Sequence, residues 1–375
     1  MLLLVSLLVG CSGDDGEGPA LSREAALGDL IFHDASLSAS GTMSCATCHD
    51  PAHAHAPAND LAVQLGGADG AQGGLRAVPS LRYLFAAGAF RFDDEGTPVG
   101  GLFRDGRAAS LAEQAGEPLF NPHEMANAGV TDLVDKLARA PYATEFEAVF
   151  GRGIFASPQQ AFDKLRLALE RYQLEGEEFR PFDSKFDAVA AGRAGYTTAE
   201  ARGLEIFNDP ARGNCAACHT STPAADGTPA LFTDFSYDNL GVPRNAAIAA
   251  NGDPAHFDLG LCARTELRER ADLCGAFKVP TLRNVATRKV FFHNGAVKSL
   301  EDALRFYVSR DTGPDRWYPD AGAGKFDDLP AEHHGNVNTG EVPYDRRRGD
   351  APALNEDEIA DLAAFLRTLD DGWTP

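Results

Sequence analysis

Methionine and tryptophan are scarce in this chain, and positive charge is heavily outnumbered. Three methionines occur in 375 residues, at positions 1, 43 and 125, so the C-terminal half holds no thioether able to ligate a metal. The 34 lysines and arginines face 55 acidic residues, a net charge of −21, which argues against a nucleic-acid partner because phosphates would be repelled. The same charge suits steering of a basic partner protein, or simply an acidic solubilising surface. Beyond the first few residues no run is long and apolar enough to span a bilayer. Period-two alternation is nearly missing, so a mainly α fold is expected. No histidine stands between His55 and His123.

Against these absences stand two copies of Cys-x-x-Cys-His: Cys45-Ala-Thr-Cys48-His49 and Cys215-Ala-Ala-Cys218-His219. Each suits a covalent c-type haem, with two thioethers to the porphyrin and the adjacent histidine as proximal iron ligand. One tight turn has to present both sulfurs to one porphyrin edge while the next residue reaches under the iron. The alternatives are a redox Cys-x-x-Cys pair or half of a zinc site. A redox pair has no need of the following histidine, and a zinc site must explain why both copies carry one. Two covalent haems are therefore expected, on Cys45, Cys48 and His49 and on Cys215, Cys218 and His219.

A second repeat accompanies the first. Gly28 to Asp34 and Gly203 to Asp209 both read Gly-x-x-Ile-Phe-x-Asp, and each precedes a haem motif. Two cytochrome c-like haem domains with long irregular loops follow from this duplication. Their expected bounds are 21–188 and 189–375, after a signal and tether over 1–20. Helices are expected from capping boxes at Ser157 to Gln160, with Pro158 at its first position, and at Thr197 to Glu200. Further helices are expected over Ser299 to Tyr307 and Asn355 to Leu369, and a short charged helix over Arg264 to Asp272. Long loops are expected at 51–80, 90–101, 220–260 and 311–352.

The chain opens on a short apolar run ending in Leu8-Val-Gly-Cys11, which resembles a bacterial lipobox without its usual basic start. It implies export, lipidation of Cys11 and a periplasmic protein tied to a membrane by that lipid, the outer membrane being the expected one. Four of the other six cysteines hold haem, which leaves Cys262 and Cys274. In an oxidising compartment these are expected to form a disulfide, the alternative being two free thiols.

Three further segments carry a specific likeness: Phe103-Arg-Asp-Gly-Arg107, Leu111 to Met125, and Lys278 to Asn284 running on to Phe292-His-Asn-Gly295. In these, and in their order around the haem motifs, the chain resembles the bacterial di-haem cytochrome c peroxidases, and within them the MauG-like branch. The resemblance implies a peroxidatic N-terminal haem and an electron-transfer C-terminal haem. It implies Glu124 as catalytic acid/base, with Gln114 and Pro118 beside it in the distal pocket. It implies Tyr307, fourteen residues after His293, as second axial ligand of the C-terminal haem. The Gly-rich loop Gly66 to Gly74 stands where ordinary members carry a removable distal histidine, so an open iron face is implied, with His53 and His55 the only nearby rivals. Arg104 replaces the tryptophan that commonly lies between the haems, which would leave Phe103 or Tyr83 as aromatic relays. Ala77 replaces an asparagine ligand of the family's calcium, which leaves that ion in question. The implied activity is oxidation by hydrogen peroxide, through a ferryl at the N-terminal haem, of a small cytochrome, a cupredoxin or a protein side chain. Trp317 and Trp373 would either relay holes to that partner or serve in packing. The alternative reading is a non-catalytic periplasmic di-haem electron-transfer cytochrome.

Overall fold

The computed structural model describes residues 20–319 and 324–375; Cys11 and the expected tether lie outside them. Ten α-helices run through the described residues: α1 (Arg23–His33), α2 (Cys45–Cys48), α3 (Leu111–Gly116), α4 (Val130–Leu137), α5 (Ala143–Phe150), α6 (Pro158–Glu175), α7 (Lys185–Ala190), α8 (Thr198–Asn208), α9 (Leu300–Ser309) and α10 (Glu356–Arg367). Strands among the described residues amount to three antiparallel pairs of two residues each, so the fold is mainly helical.

Local chemistry sets most helix starts. Thr197 with Glu200, and Asn355 with Glu358, close reciprocal capping boxes at α8 and α10, and Ser299 accepts from the Asp302 amide at α9. Pro158 opens α6, but the Ser157 side chain makes no cap hydrogen bond, so the start rests on the pre-set proline φ instead of a box. The Arg264 to Asp272 stretch is not an α-helix. It forms two 3₁₀ turns, Thr265–Leu267 and Ala271–Leu273. Its ion pairs, Arg264–Glu266 and Arg270–Asp272, join residues two apart, which do not face each other on an α-helix. A disulfide between Cys262 and Cys274, with Cα atoms 4.8 Å apart, closes this loop.

The Gly-x-x-Ile-Phe-x-Asp repeat has a packing cause. Helix α1 crosses α6 and α8 crosses α10, and each crossing is closest at the glycine. A Cβ on Gly28 would sit 2.0 Å from the Ala168 carbonyl oxygen, and one on Gly203 would sit 2.1 Å from that of Asp361. The Ile-Phe pair that follows points inward in both copies: Ile31, Phe32, Ile206 and Phe207 are all 2% exposed or less. Each repeat helix thus docks chiefly on the long helix that closes its own unit. The Gly203→Ala variant is expected to lose about 1–3 kcal/mol or more through overpacking against backbone. Gly195, with open space around it, should tolerate alanine within about 0.5 kcal/mol. Urea unfolding of both holoproteins checks the difference.

Two apolar cores result, one around Leu27, Phe32, Phe146 and Leu165, the other around Phe207, Phe232, Phe306 and Phe365. Phe186 of α7 packs on the second core, and the neighbouring Asp187 takes the buried guanidinium of Arg283 at 2.8 Å. The segment 76–107 stitches the units together. The Ala77 amide donates to the His293 carbonyl at 2.7 Å, Gly100 to Phe235 at 2.9 Å, and Lys278 to Arg104 at 2.8 Å.

Candidate active site

One cavity of about 770 Å³ runs between the units, and both Cys-x-x-Cys-His motifs line it. In the first unit α2 is a single turn, capped by the Ser44 amide on Thr47 Oγ1 at 2.9 Å, and it sets Cys45, Cys48 and His49 on the cavity wall. In the second unit a 3₁₀ turn over Cys215–Ala217, entered through Asn214 at φ 50°, does the same for Cys215, Cys218 and His219.

These residues fit haem attachment. Burial pushes the Cys45 and Cys48 thiols up to about 12 and about 11, and both second-unit thiols to about 12. A redox Cys-x-x-Cys depends on a depressed thiol pKa, the opposite of this direction. Among the described residues no group of three or more Cys, His, Asp and Glu gathers as a zinc site would need. Both imidazoles place Nδ1 against a backbone carbonyl: His49 on His55 at 3.1 Å and His219 on Phe232 at 2.8 Å. That contact fixes the ring and its tautomer and keeps Nε2 as the nitrogen able to bind metal. Burial lowers both histidines, His49 to about 4, so each is the neutral base that a metal requires.

The first-unit pocket also holds Glu124, Gln114 and Pro118. Burial raises the Glu124 carboxyl to about 6, with Arg107 opposing and Glu117 adding to the shift. The Gly66 to Gly74 loop seats this carboxylate. Gly67 donates its amide to the Glu124 carbonyl at 2.7 Å, and His123 Nδ1 lies 2.8 Å from the Gly73 carbonyl. A Cβ on Gly66 would meet the His123 carbonyl oxygen at 2.2 Å and Glu124 Cα at 2.8 Å. Gly66→Ala should therefore displace the carboxylate and lower peroxide turnover by about 10²-fold, the scale of a 1 Å misplacement. Haem content should not change, as pyridine haemochrome assay would show.

His55 is buried with neither ring nitrogen hydrogen-bonded, its ring centroid 4.1 Å from that of Phe179. Its carbonyl meets His49, so it stands behind the proximal histidine, and His53 pairs with Asp50 at 3.0 Å. Across the cavity, Tyr307 on α9 is partly buried among Phe292, Tyr344 and the second motif. Burial, Asp238 and Cys215 hold its hydroxyl above its ordinary value. Tyr344, with its ring centroid 5.9 Å from that of Tyr307 and Arg310 over its face at 4.9 Å, is a second phenol on this wall. No periodicity or motif in the sequence pointed to it. Trp317 is a packing residue, its Nε1 donating to Ser309 Oγ at 3.0 Å and its ring set against Phe306.

A helical protein with two such motifs on one cavity is, as a class, a di-haem c-type cytochrome with an acid/base group in reach of one haem site. Known proteins narrow this. Residues 22–195 match the profile of the di-haem cytochrome c peroxidases. The methylamine utilization protein MauG of Paracoccus denitrificans is 41% identical over 311 residues, covering 81% of this chain and 79% of the relative. The cytochrome c peroxidase Ccp of Escherichia coli is 29% identical over 332 residues, 87% of this chain and 60% of that protein. In structure, the diheme peroxidase BthA from Burkholderia thailandensis superposes with a TM-score of 0.88 at 42% identity, covering 93% of this chain and 86% of that one. The chain belongs to the di-haem cytochrome c peroxidase family. It is a peroxide-using oxidoreductase with two c-type haems.

Proposed function

We propose that the pocket of Glu124, beside the haem that His49 would hold, is where hydrogen peroxide is reduced. His219 and Tyr307 would hold the second haem, which would supply or store the second oxidising equivalent. Cys45, Cys48 and His49 would hold the first haem and Cys215, Cys218 and His219 the second. When bound, these groups supply an iron face open to peroxide and a second iron able to give up an electron. The protein's own contribution is proton handling. The Glu124 carboxylate accepts the proton from one peroxide oxygen and returns it to the other, so that water leaves in place of hydroxide. Gln114 and Pro118 line the same pocket.

The observation that carries this reading is the juxtaposition of a partly buried Glu124, its carboxyl pKa raised to about 6, with the first motif on one cavity. The final donor would be a small cytochrome, a cupredoxin or a side chain of a protein substrate, with the acidic surface favouring a basic one. Export to the periplasm and lipidation at Cys11 complete the proposal; no helix among the described residues is long and apolar enough to cross a membrane. EPR of the purified ferric protein tests the reading. One high-spin and one low-spin haem, both lost on adding stoichiometric peroxide, would support it. Two low-spin haems indifferent to peroxide would overturn it in favour of an electron carrier or of an enzyme that must first be reduced.

A further inference from the structure

Between the two haem motifs the cavity wall carries three cations that form no ion pair among the described residues, though Asp258 and Asp105 act on Arg104 and Lys278 from further off. Arg104, Lys278 and Arg288 all line it. Arg104 gives Nε to the Ala77 carbonyl at 2.9 Å. Arg288 gives Nη2 to Val78 at 2.9 Å and Nε to Val290 at 3.3 Å, and Lys278 gives Nζ to Gly101. Backbone carbonyls absorb the protons of these groups but not their charge. Among the described residues no carboxylate oxygen lies within 4.0 Å of any of the three.

The nearest acids are already engaged. Arg76 grips Asp258 with two bonds, 2.6 and 2.7 Å, and reaches Asp105 at 2.7 Å; Arg107 takes Asp105 as well, at 2.9 Å. Arg104, Lys278 and Arg288 are therefore surplus cations. Burial lowers Arg104 to about 9, Lys278 to about 8 and Arg288 to about 10, and Arg104 is further lowered by Arg288 and Arg76. The three side chains are partly buried, and cations turned into a largely apolar cavity are ordinarily matched by an anion. Three on one wall call for anions that arrive with what fills the cavity.

We propose that Arg104, Lys278 and Arg288 form the carboxylate-binding wall for the haem propionates at the junction of the two units. The inference rests on the haem attachment proposed above. In a c-type haem the vinyl edge is tied to the cysteines, so the opposite edge, which bears two propionates, is the one left to meet this wall. Cations beside the porphyrins favour the reduced irons electrostatically, so the wall also sets both potentials. Arg104 is on this view a charge-compensating residue, joined to the first unit through Ala77 and to the second through the Lys278 amide on its carbonyl.

The test uses the holoprotein. Arg104→Gln and Lys278→Gln should each lower the haem midpoint potentials in spectroelectrochemical titration, while Lys278→Arg should leave them in place. Resonance Raman of the unmodified protein should show propionate bending bands at hydrogen-bonded positions, moving toward the free position in Arg104→Gln. Unchanged potentials and bands in both glutamine variants, with two haems per chain and a peroxide-reactive high-spin site retained, would overturn this inference alone. Loss of the haems or of the high-spin site from the unmodified protein would instead sink the reading beneath it. If the variants fail to fold, free-propionate bands in the unmodified protein overturn the proposal unaided. A saturable shift of the potentials by sulfate, with those bands at the free position, would assign the wall to a free oxoanion.

Discussion

Replacing Glu124 with glutamine should reduce peroxide turnover by about 10²–10⁴-fold, the usual contribution of a positioned acid/base group. Glutamine keeps the size and polarity of the side chain but cannot cycle a proton between the peroxide oxygens. The pH profile makes the prediction sharper. The carboxyl titrates at about 6, and the first step requires its ionised form. In the unmodified protein kcat/KM for peroxide should therefore climb as pH rises through about 6 and level off above it. The glutamine variant should lose that limb as well as the rate.

Stability gives the control. Because the folded pKa lies above the ordinary 4.5, folding favours the neutral form, and this contribution is present below about 4.5 and lost as pH rises through about 6. At pH 7 a neutral glutamine should be no less stable than the partly desolvated carboxylate it replaces. Loss of activity with an intact unfolding midpoint and intact electron uptake from dithionite would isolate proton transfer. A variant that turns over peroxide as before would remove Glu124 from the reaction.

Covalent chemistry is a local demand and was legible in the sequence. The repeat was legible only as a repeat: its helices pack chiefly on α6 and α10, not on the haem-bearing segments as the sequence suggested. A haem needs its two thiols and its histidine within one turn, and α1 and α8 need a glycine where another backbone approaches to contact distance. The expected helices at Ser299 and Asn355 are present for the same reason, since a cap residue and its partner lie three residues apart. What the sequence hid was assembled at long range. Arg104 stood out in sequence only as the residue in place of a tryptophan, and nothing there joined it to Lys278 and Arg288; the stitching of segment 76–107 onto the second unit puts all three on one cavity wall. The loop Gly66 to Gly74 is likewise readable as missing a histidine, but its contacts, Gly67 with the Glu124 carbonyl and Gly73 with the His123 ring, need the fold. The Arg264 to Asp272 stretch misled because its charges suit helix composition while their spacing does not.

The second large effect concerns Tyr307. Burial and the nearby Asp238 and Cys215 all oppose ionising this phenol, so a phenolate can form there only if a bound cation takes the place of the proton. Iron held by His219 would be that cation, and an anionic oxygen donor then stabilises its ferric and higher states. Tyr307→Phe removes the donor. It should abolish the low-spin ferric EPR signal of that haem and raise its midpoint potential, axial identity being able to move haem potentials over a range of roughly 0.8 V. Peroxide turnover should fall with it, since the second haem no longer gives up an electron readily. Tyr344→Phe is the decisive companion, because the two rings lie 5.9 Å apart on the same wall. If Tyr344→Phe erases the low-spin signal while Tyr307→Phe keeps it, the ligand is Tyr344, and the fourteen-residue register from His293 does not hold in this chain. If each single variant keeps the signal and only the double variant loses it, the two phenols substitute for one another. If Tyr307→Phe alone erases it, the electron-sharing role of the second haem rests on that one oxygen.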